Sequence, residues 1–124
     1  MTTTFHAFRV EQEDGSGPYT SASLSDHFFS LPYSPSKHPD PFEDGIDKMK
    51  PYDICAFKDY QQALEWFDED MVDFLKIEGG WFLSTYRVEE STTKYGNCQI
   101  LIDSEKMVLV NRDDIEILNV IREL

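Results

Sequence analysis

The spacing of hydrophobic and polar positions changes several times along the chain, and these changes mark the predicted elements. Residues 4–12 (TFHAFRVEQ) alternate in the manner of a β-strand and carry aromatic side chains on both faces. We expect His6, Phe8 and Val10 to point inward. The central stretch, residues 51–90, combines a short apolar run, a helical pattern and a second alternating strand. The remaining segments are expected to pack around this strand–helix–strand unit.

The helical pattern of the central stretch follows residues 54–57, an apolar run that predicts a strand. Asp59 is placed to cap the helix. Apolar side chains then recur at the three- and four-residue spacing of a buried helical face: Tyr60, Ala63, Leu64 and Phe67. Asp68 either starts a second helix or lies within one bent helix, and both alternatives fit the spacing. Gly79 and Gly80 predict the end of the helix, because glycine readily adopts a positive φ there.

The segments after the two glycines predict further strands. Residues 81–88 alternate, and residues 99–103 and 107–110 predict a hairpin around a turn at residues 104–106. Residues 115–124 fit either a helix or a fourth meander strand, and we favour a strand start with a helical end. The predicted fold class is α+β, with a mostly antiparallel sheet and one or two helices packed on one face.

The chain has the length of one domain, so residues 1–124 are predicted to form a single α+β domain. Residues 32–52 predict a long proline-rich loop, and a loop of this length in a compact domain is typical of functional or mobile segments. The loop holds an imidazole and three carboxylates that could ligate a divalent cation: His38, Asp40, Glu43 and Asp44. Their spacing matches no calcium or zinc motif. A solvated polar loop is therefore favoured, and no metal site is predicted.

The charge of the chain is strongly one-sided, with 24 acidic against 11 basic residues and a net charge of −13. Phosphate backbones repel such a surface, so direct nucleic-acid binding is not expected. A protein with a basic surface, or with a basic groove meant for nucleic acid, is the better partner, and solubility alone is the alternative explanation of the charge. The sequence contains neither a signal-peptide pattern nor an apolar run long enough to span a membrane. We therefore expect a cytosolic protein without membrane contact; its oligomeric state is left open.

The most acidic stretch of the helical pattern is the candidate partner-binding surface. Glu65, Glu69 and Asp73 are four residues apart and would form one row on a continuous helix, with Asp68 and Asp70 beside them. Like charges at this spacing destabilise a helix by roughly a few tenths of a kcal/mol per pair. Tolerance of that cost suggests a partner. For these residues taken alone, an ordinary solvated face is nevertheless the favoured interpretation, and imitation of nucleic acid is a further hypothesis.

The chain offers few residues for catalysis. Cys55 and Cys98 lie in apolar runs and are expected to be small buried residues, although the sequence leaves a disulfide between them open. The sequence contains no glycine-rich phosphate loop, nucleophile elbow or Cys–His arrangement. These observations favour a protein that is not an enzyme, and no cofactor is expected.

Short motifs follow one another in a consistent order: FRVE at 8–11, GPY at 17–19, HPDP at 38–41, DG at 44–45, CAF at 55–57, LEWF at 64–67, Gly80, and YRV at 86–88. In these motifs the chain resembles a group of small, mostly uncharacterised proteins encoded by phages and prophages. The resemblance implies a viral accessory protein in the host cytosol. Small acidic accessory proteins of this kind often resemble inhibitors of host enzymes or defence systems.

A second resemblance is to ADP-ribosyltransferase-like folds, which place an Arg or His on the first strand, a Ser or Tyr on a later one, and a Glu near the end. Arg9 would take the first role and Tyr19 or Ser21 the second. The last strands contain no Glu-x-Glu or Gln-x-Glu motif for the third role. The favoured hypothesis is a phage-type acidic protein that binds and inhibits a host protein stoichiometrically. An NAD-dependent enzyme is the alternative.

Overall fold

The computed structural model describes residues 3–17 and 41–124. These ranges contain, in chain order, β1 (Thr4–Gln12), β2 (Asp53–Ala56), α1 (Tyr60–Trp66), α2 (Glu69–Glu78), β3 (Trp81–Glu89), β4 (Lys94–Tyr95), β5 (Ile100–Asp103), β6 (Val108–Asp114) and α3 (Ile117–Arg122). A 3-10 turn, Glu90–Thr92, joins β3 to β4. Among the helices of the described ranges, none has the length and apolar character needed to cross a membrane.

The strands form two antiparallel sheets of three strands each, which confirms the α+β fold class. Sheet A has the order β1-β3-β6 and sheet B has the order β2-β5-β4. β1 and β3 pair along their whole length, with Thr4 opposite Glu89 and Gln12 opposite Trp81. A bridge between Phe8 and Phe57, with N···O distances of 2.7 and 2.8 Å, joins the edge of sheet A to the residue after β2.

Sheet A has an apolar layer on each face. On one face, Val10 and Leu83 pack with buried residues from all three helices: Ala63, Trp66, Met71, Val72, Leu75 and Leu118. On the other face, Ala7, Tyr86 and Val88 pack with residues of sheet B. Each layer removes apolar surface from water, at about 25 cal/mol per Å². The two layers explain why both faces of β1 carry aromatic side chains.

The starts of the two central helices agree with the sequence prediction. The carboxylate of Asp59 accepts a hydrogen bond from the amide of Gln62 at 2.8 Å, and that of Asp68 accepts one from Met71 at 2.9 Å. The backbone between the helices is extended at Phe67. Of the two alternatives, the structure therefore shows a second helix that starts after Asp68.

The predicted arrangement of the C-terminal half is wrong in two respects. β5 and β6 do not form a hairpin, because β5 lies in sheet B and β6 in sheet A. The turn between them is present, since the amide of Lys106 donates to the carbonyl of Asp103 at 3.1 Å. There is no fourth meander strand in the described chain: β6 continues to Asp114, with a register shift opposite Thr85 and Tyr86, and α3 follows. The predicted helical end of the chain is confirmed, because α3 packs with α1 and α2 on the same face of sheet A.

Three residues predicted to be buried are exposed, and they are His6, Cys55 and Tyr60. His6 lies exposed on β1, whereas Phe8 and Val10 pack against the helical layer as predicted. Cys55 is exposed and Cys98 is partly buried against the same layer, so the prediction of a buried residue is wrong for Cys55. The structure shows no disulfide between the two cysteines.

Candidate functional site

The five carboxylates predicted to bind a partner lie where α1 meets α2. We call this surface the acidic face; it consists of Glu65, Asp68, Glu69, Asp70 and Asp73. All are exposed except Asp68, which is half-buried as the N-cap of α2. Because the helix is interrupted at Phe67, Glu65 does not form one continuous helical row with Glu69 and Asp73. The geometry required by the bent-helix alternative is therefore absent.

Three of the five acidic residues have a structural role at the start of α2. Asp68 caps α2, and Glu69 and Asp70 occupy its first turn. Negative charge at a helix N-terminus interacts favourably with the partial positive charge of the unpaired amides, at about 0.3–1 kcal/mol per group. These three residues therefore stabilise α2 through this effect, although Glu69 and Asp73 remain like charges four residues apart on the helix.

Helix α3 holds the backbone beneath the acidic face. The guanidinium group of Arg122 donates to the carbonyl oxygens of Leu64, at 3.2 Å, and Phe67. The side-chain amide of Asn119 donates to Asp73 at 3.0 Å. Both contacts cross from α3 to the α1–α2 unit, so the carboxylates project from a fixed junction.

An open groove of about 420 Å³ lies beside the acidic face. Leu64 and Trp66 contribute apolar surface to it, and Glu65 and Asp68 contribute carboxylates; Gln62, Cys98 and Arg122 complete the lining. A smaller depression of about 200 Å³ shares Gln62 and Glu65 with the groove. The described surface therefore contains a concave region that runs directly into the acidic face.

The uncharged polar groups of the groove are used within the protein. The side chain of Gln62 accepts a hydrogen bond from the amide of Lys58 at 3.0 Å and donates one to the carbonyl of Asn97 at 3.3 Å. Burial and the nearby Asp44 carboxylate raise the pKa of the Cys98 thiol. The thiol is therefore protonated at neutral pH and is a poor nucleophile.

The two carboxylates of the groove, Glu65 and Asp68, make fewer contacts within the protein. Glu65 accepts a hydrogen bond from the side chain of Gln61 at 3.2 Å, and Asp68 accepts the capping bond from Met71. Neither carboxylate forms an ion pair with another residue of the described ranges. The groove can therefore offer two negative charges to a ligand.

The predicted loop site is described only in part, because His38 and Asp40 lie outside the described residues. Asp44 is buried, and its carboxylate accepts hydrogen bonds from the backbone amides of Cys98, at 2.9 and 3.0 Å, and Gln99, at 3.1 Å. Glu43 is exposed. Asp44 thus closes the turn before β5. Residues 3–17 and 41–124 contain no group of three or more metal-ligating side chains.

Arg9, the candidate catalytic residue of the enzyme alternative, belongs to a buried ion network that sequence reasoning missed. Glu11 is fully buried, and its carboxylate accepts hydrogen bonds from Arg9 at 2.9 Å, Arg112 at 2.7 Å, and the hydroxyl of Tyr86. Burial and the hydrogen bond to Glu11 raise the pKa of Tyr86, which therefore remains a donor. Tyr19, the second candidate of that alternative, lies outside the described residues.

Both arginines of this network also bind other parts of the chain. Arg9 donates to the carbonyl oxygens of Cys55 at 2.7 Å and Gly15 at 3.0 Å, and Arg112 donates to the hydroxyl of Ser84 at 2.9 Å. The geometry gives Arg9 a structural role. One signal was present in the sequence, because an Arg and a Glu two residues apart on a strand lie on the same face.

Comparison with known proteins supplies the family. No curated protein and no solved structure matches the chain significantly. The model of a protein family, described as the Bacteriophage T4 Y00F protein, matches residues 3–116. This match includes all six described strands, α1 and α2, and it ends just before α3. The chain therefore belongs to the bacteriophage T4 Y00F protein family, which confirms the predicted resemblance to small phage-encoded proteins.

Proposed function

We propose that this phage accessory protein acts by stoichiometric binding, in which its acidic face docks on a basic surface of a host protein and inhibits that protein. One observation carries the proposal: five carboxylates are gathered at the α1–α2 junction, and none of them is ion-paired within the described ranges. A host enzyme or defence protein with an exposed cluster of Lys and Arg is the kind of target that fits.

The remaining carboxylates of the described chain fall into two groups. Glu11, Asp53, Glu89 and Glu116 are paired with a cation of the protein itself, whereas exposed residues such as Asp47, Glu90 and Glu105 have no ion pair in the described ranges but are spread over different elements. Complementary charge across an interface accelerates association, and it makes the association rate sensitive to salt. The net charge of −13 adds a long-range attraction toward any basic partner.

The NAD-dependent alternative has less support. The guanidinium group of Arg9 is bound to Glu11 and to two backbone carbonyls, and its side chain is only 11% exposed. A nucleotide would have to displace these contacts before it could bind there. The binder is therefore the function that the geometry favours.

The test is a comparison of two charge-reversed variants that carry the same change in net charge. In one variant, Glu69, Asp70 and Asp73 are replaced by Lys; in the control, the exposed residues Asp47, Glu90 and Glu105 are replaced by Lys. Proteins captured from host lysate by the wild type are identified, and their affinity for each variant is measured at low and high salt. Circular dichroism checks that each variant is folded.

We expect a partner whose affinity falls at least tenfold for the acidic-face variant and much less for the control, with an association rate that decreases as salt increases. Equal losses in the two variants would mean that net charge alone attracts the partner. Unchanged binding by the acidic-face variant would exclude this surface. Either result would overturn the proposal.

A further inference from the structure

We infer that the groove beside the acidic face, lined by Leu64, Trp66, Glu65 and Asp68, receives an arginine side chain of the partner protein. The inference rests on the proposed function, because it names the group of the partner that the site recognises. It adds a discrete pocket to what would otherwise be a diffuse attraction between charged surfaces.

The lining of the groove matches both parts of an arginine side chain. Leu64, which is half-buried, offers apolar surface to the methylene stem, and Trp66, which is 7% exposed, adds a small part of that surface. Glu65 and Asp68 offer carboxylates to the charged end. Arginine combines an apolar stem with a charged end that donates several hydrogen bonds.

Each carboxylate has accepting capacity to spare. One oxygen of Glu65 accepts from Gln61 and one oxygen of Asp68 accepts from Met71. An ionised carboxylate has about four lone-pair sites, so one described hydrogen bond leaves most of this capacity available. A guanidinium group in the groove would therefore find acceptors on both residues.

Donor nitrogens of Arg122, which also lines the groove, are used within the protein. Two of its nitrogens donate to the carbonyl oxygens of Leu64 and Phe67. Arg122 forms no ion pair with Glu65 or Asp68 at 4.0 Å or less, so it does not neutralise them by direct contact.

The chemistry favours arginine over lysine. A guanidinium group is planar and offers five donors in a fixed geometry, so it can bind two carboxylates at once. The ammonium group of lysine is more strongly hydrated, and it therefore loses more when it enters a half-enclosed groove. Glu65 lines both the groove and the adjoining depression, so its carboxylate can accept hydrogen bonds from a guanidinium group on either side.

The probe for the test is N-acetyl-arginine amide, titrated into the nitrogen-15-labelled full chain and followed by NMR. N-acetyl-citrulline amide has nearly the same shape without the charge, and N-acetyl-lysine amide has the charge without the planar group. We expect saturable shifts at the amides of Gln62, Glu65 and Asn97 with the arginine probe. The affinity should be at least tenfold lower for citrulline and several-fold lower for lysine.

Variants test whether the two carboxylates hold the probe. Glu65→Gln and Asp68→Asn should each lower the affinity for the arginine probe at least fivefold, and Asn keeps the ability to cap α2. Glu105→Gln makes the same change in net charge away from the groove and should leave that affinity within twofold of the wild type. Three results would overturn the inference. They are shifts that do not saturate, a citrulline probe that binds as tightly as the arginine probe, and a Glu105→Gln variant that weakens binding as much as Glu65→Gln and Asp68→Asn do.

The outcome separates this inference from the proposed function. If the arginine probe does not bind, but reversal of Glu69, Asp70 and Asp73 still weakens partner binding, the pocket is refuted and the acidic face stands. If the probe binds but no partner depends on the acidic face, the pocket stands and the proposed function fails.

Discussion

The carboxylate of Glu11 and the carboxylates of the acidic face differ in nearly every contact that they make. Glu11 is fully buried and is bound by two arginines and a tyrosine. The acidic face is mostly exposed and has no ion pair in the described chain. A buried charge is costly unless it is paired, whereas an exposed one contributes little to stability. The fold therefore requires the charge of Glu11, while most of the negative charge on the acidic face remains available to a partner.

The largest expected effect comes from removing the buried partner of the two arginines. Glu11→Ala leaves Arg9 and Arg112 without their counter-charge inside the protein, and we expect a loss of about 3–5 kcal/mol in the free energy of unfolding. Urea denaturation measures it. The matched control is Glu116→Ala, which breaks the exposed pair with Lys76 and should cost less than about 1 kcal/mol. Similar losses in the two variants would contradict the comparison.

Asp44 is a second buried carboxylate, and its hydrogen bonds come from backbone amides rather than from arginines. A Cβ atom added to Gly96 would overlap the carboxylate of Asp44 and lie 3.0 Å from the carbonyl oxygen of Gln99. We expect Gly96→Ala to cost about 1–3 kcal/mol, measured as a shift in the urea midpoint. Asp44→Ala removes the group that causes the overlap. The double variant should therefore lose less than the sum of the single losses, and strict additivity would contradict this packing.

The features that the sequence predicted correctly are those with local causes. The bounds of β1, the caps at Asp59 and Asp68, and the helix end at Gly79 all depend on residues within a few positions of one another. Side-chain alternation and capping chemistry are sufficient to find them. The position of the acidic residues on the helices was predictable for the same reason.

The features that were missed depend on which strands pair. β5 is buried at every position, so its apolar pattern does not indicate whether it pairs with its neighbour in sequence or with β2. The ion network was missed because it joins Glu11 to Tyr86 and Arg112, which come together only through the order of strands in sheet A. Fold class was therefore predictable, but the division into two sheets and the buried network were not.

A third carboxylate lies between the two extremes, because Asp53 is buried but pairs with the partly exposed Lys94. Burial raises the pKa of Asp53, but the hydrogen bonds from Lys94 and from the amide of Lys50 outweigh this effect. The pKa is lowered below its ordinary value of 3.8. A carboxyl group whose pKa is lower in the folded state stabilises the fold above its unfolded pKa, and this contribution is lost as pH falls through the folded value.

Asp53→Asn should therefore destabilise the protein near neutral pH, by about 1 kcal/mol. The difference from the wild type should shrink as pH falls below about 4, because the wild-type carboxyl group then becomes protonated as well. Urea denaturation at several pH values measures both effects. A difference that stays constant down to about pH 2 would show that Asp53 acts through its shape rather than its charge.

The smallest expected effect tests how much the charges of the acidic face contribute to the stability of the fold. Glu69→Gln and Asp70→Asn each remove one charge from the first turn of α2, and the loss of interaction with the helix N-terminus should cost about 0.3–1 kcal/mol. Glu65→Gln lies outside that turn and should change stability less. High salt should reduce the first two losses, because exposed charges are screened. Losses as large as that of Glu11→Ala would mean that the fold itself requires the acidic face, and the contrast between its carboxylates and Glu11 would disappear.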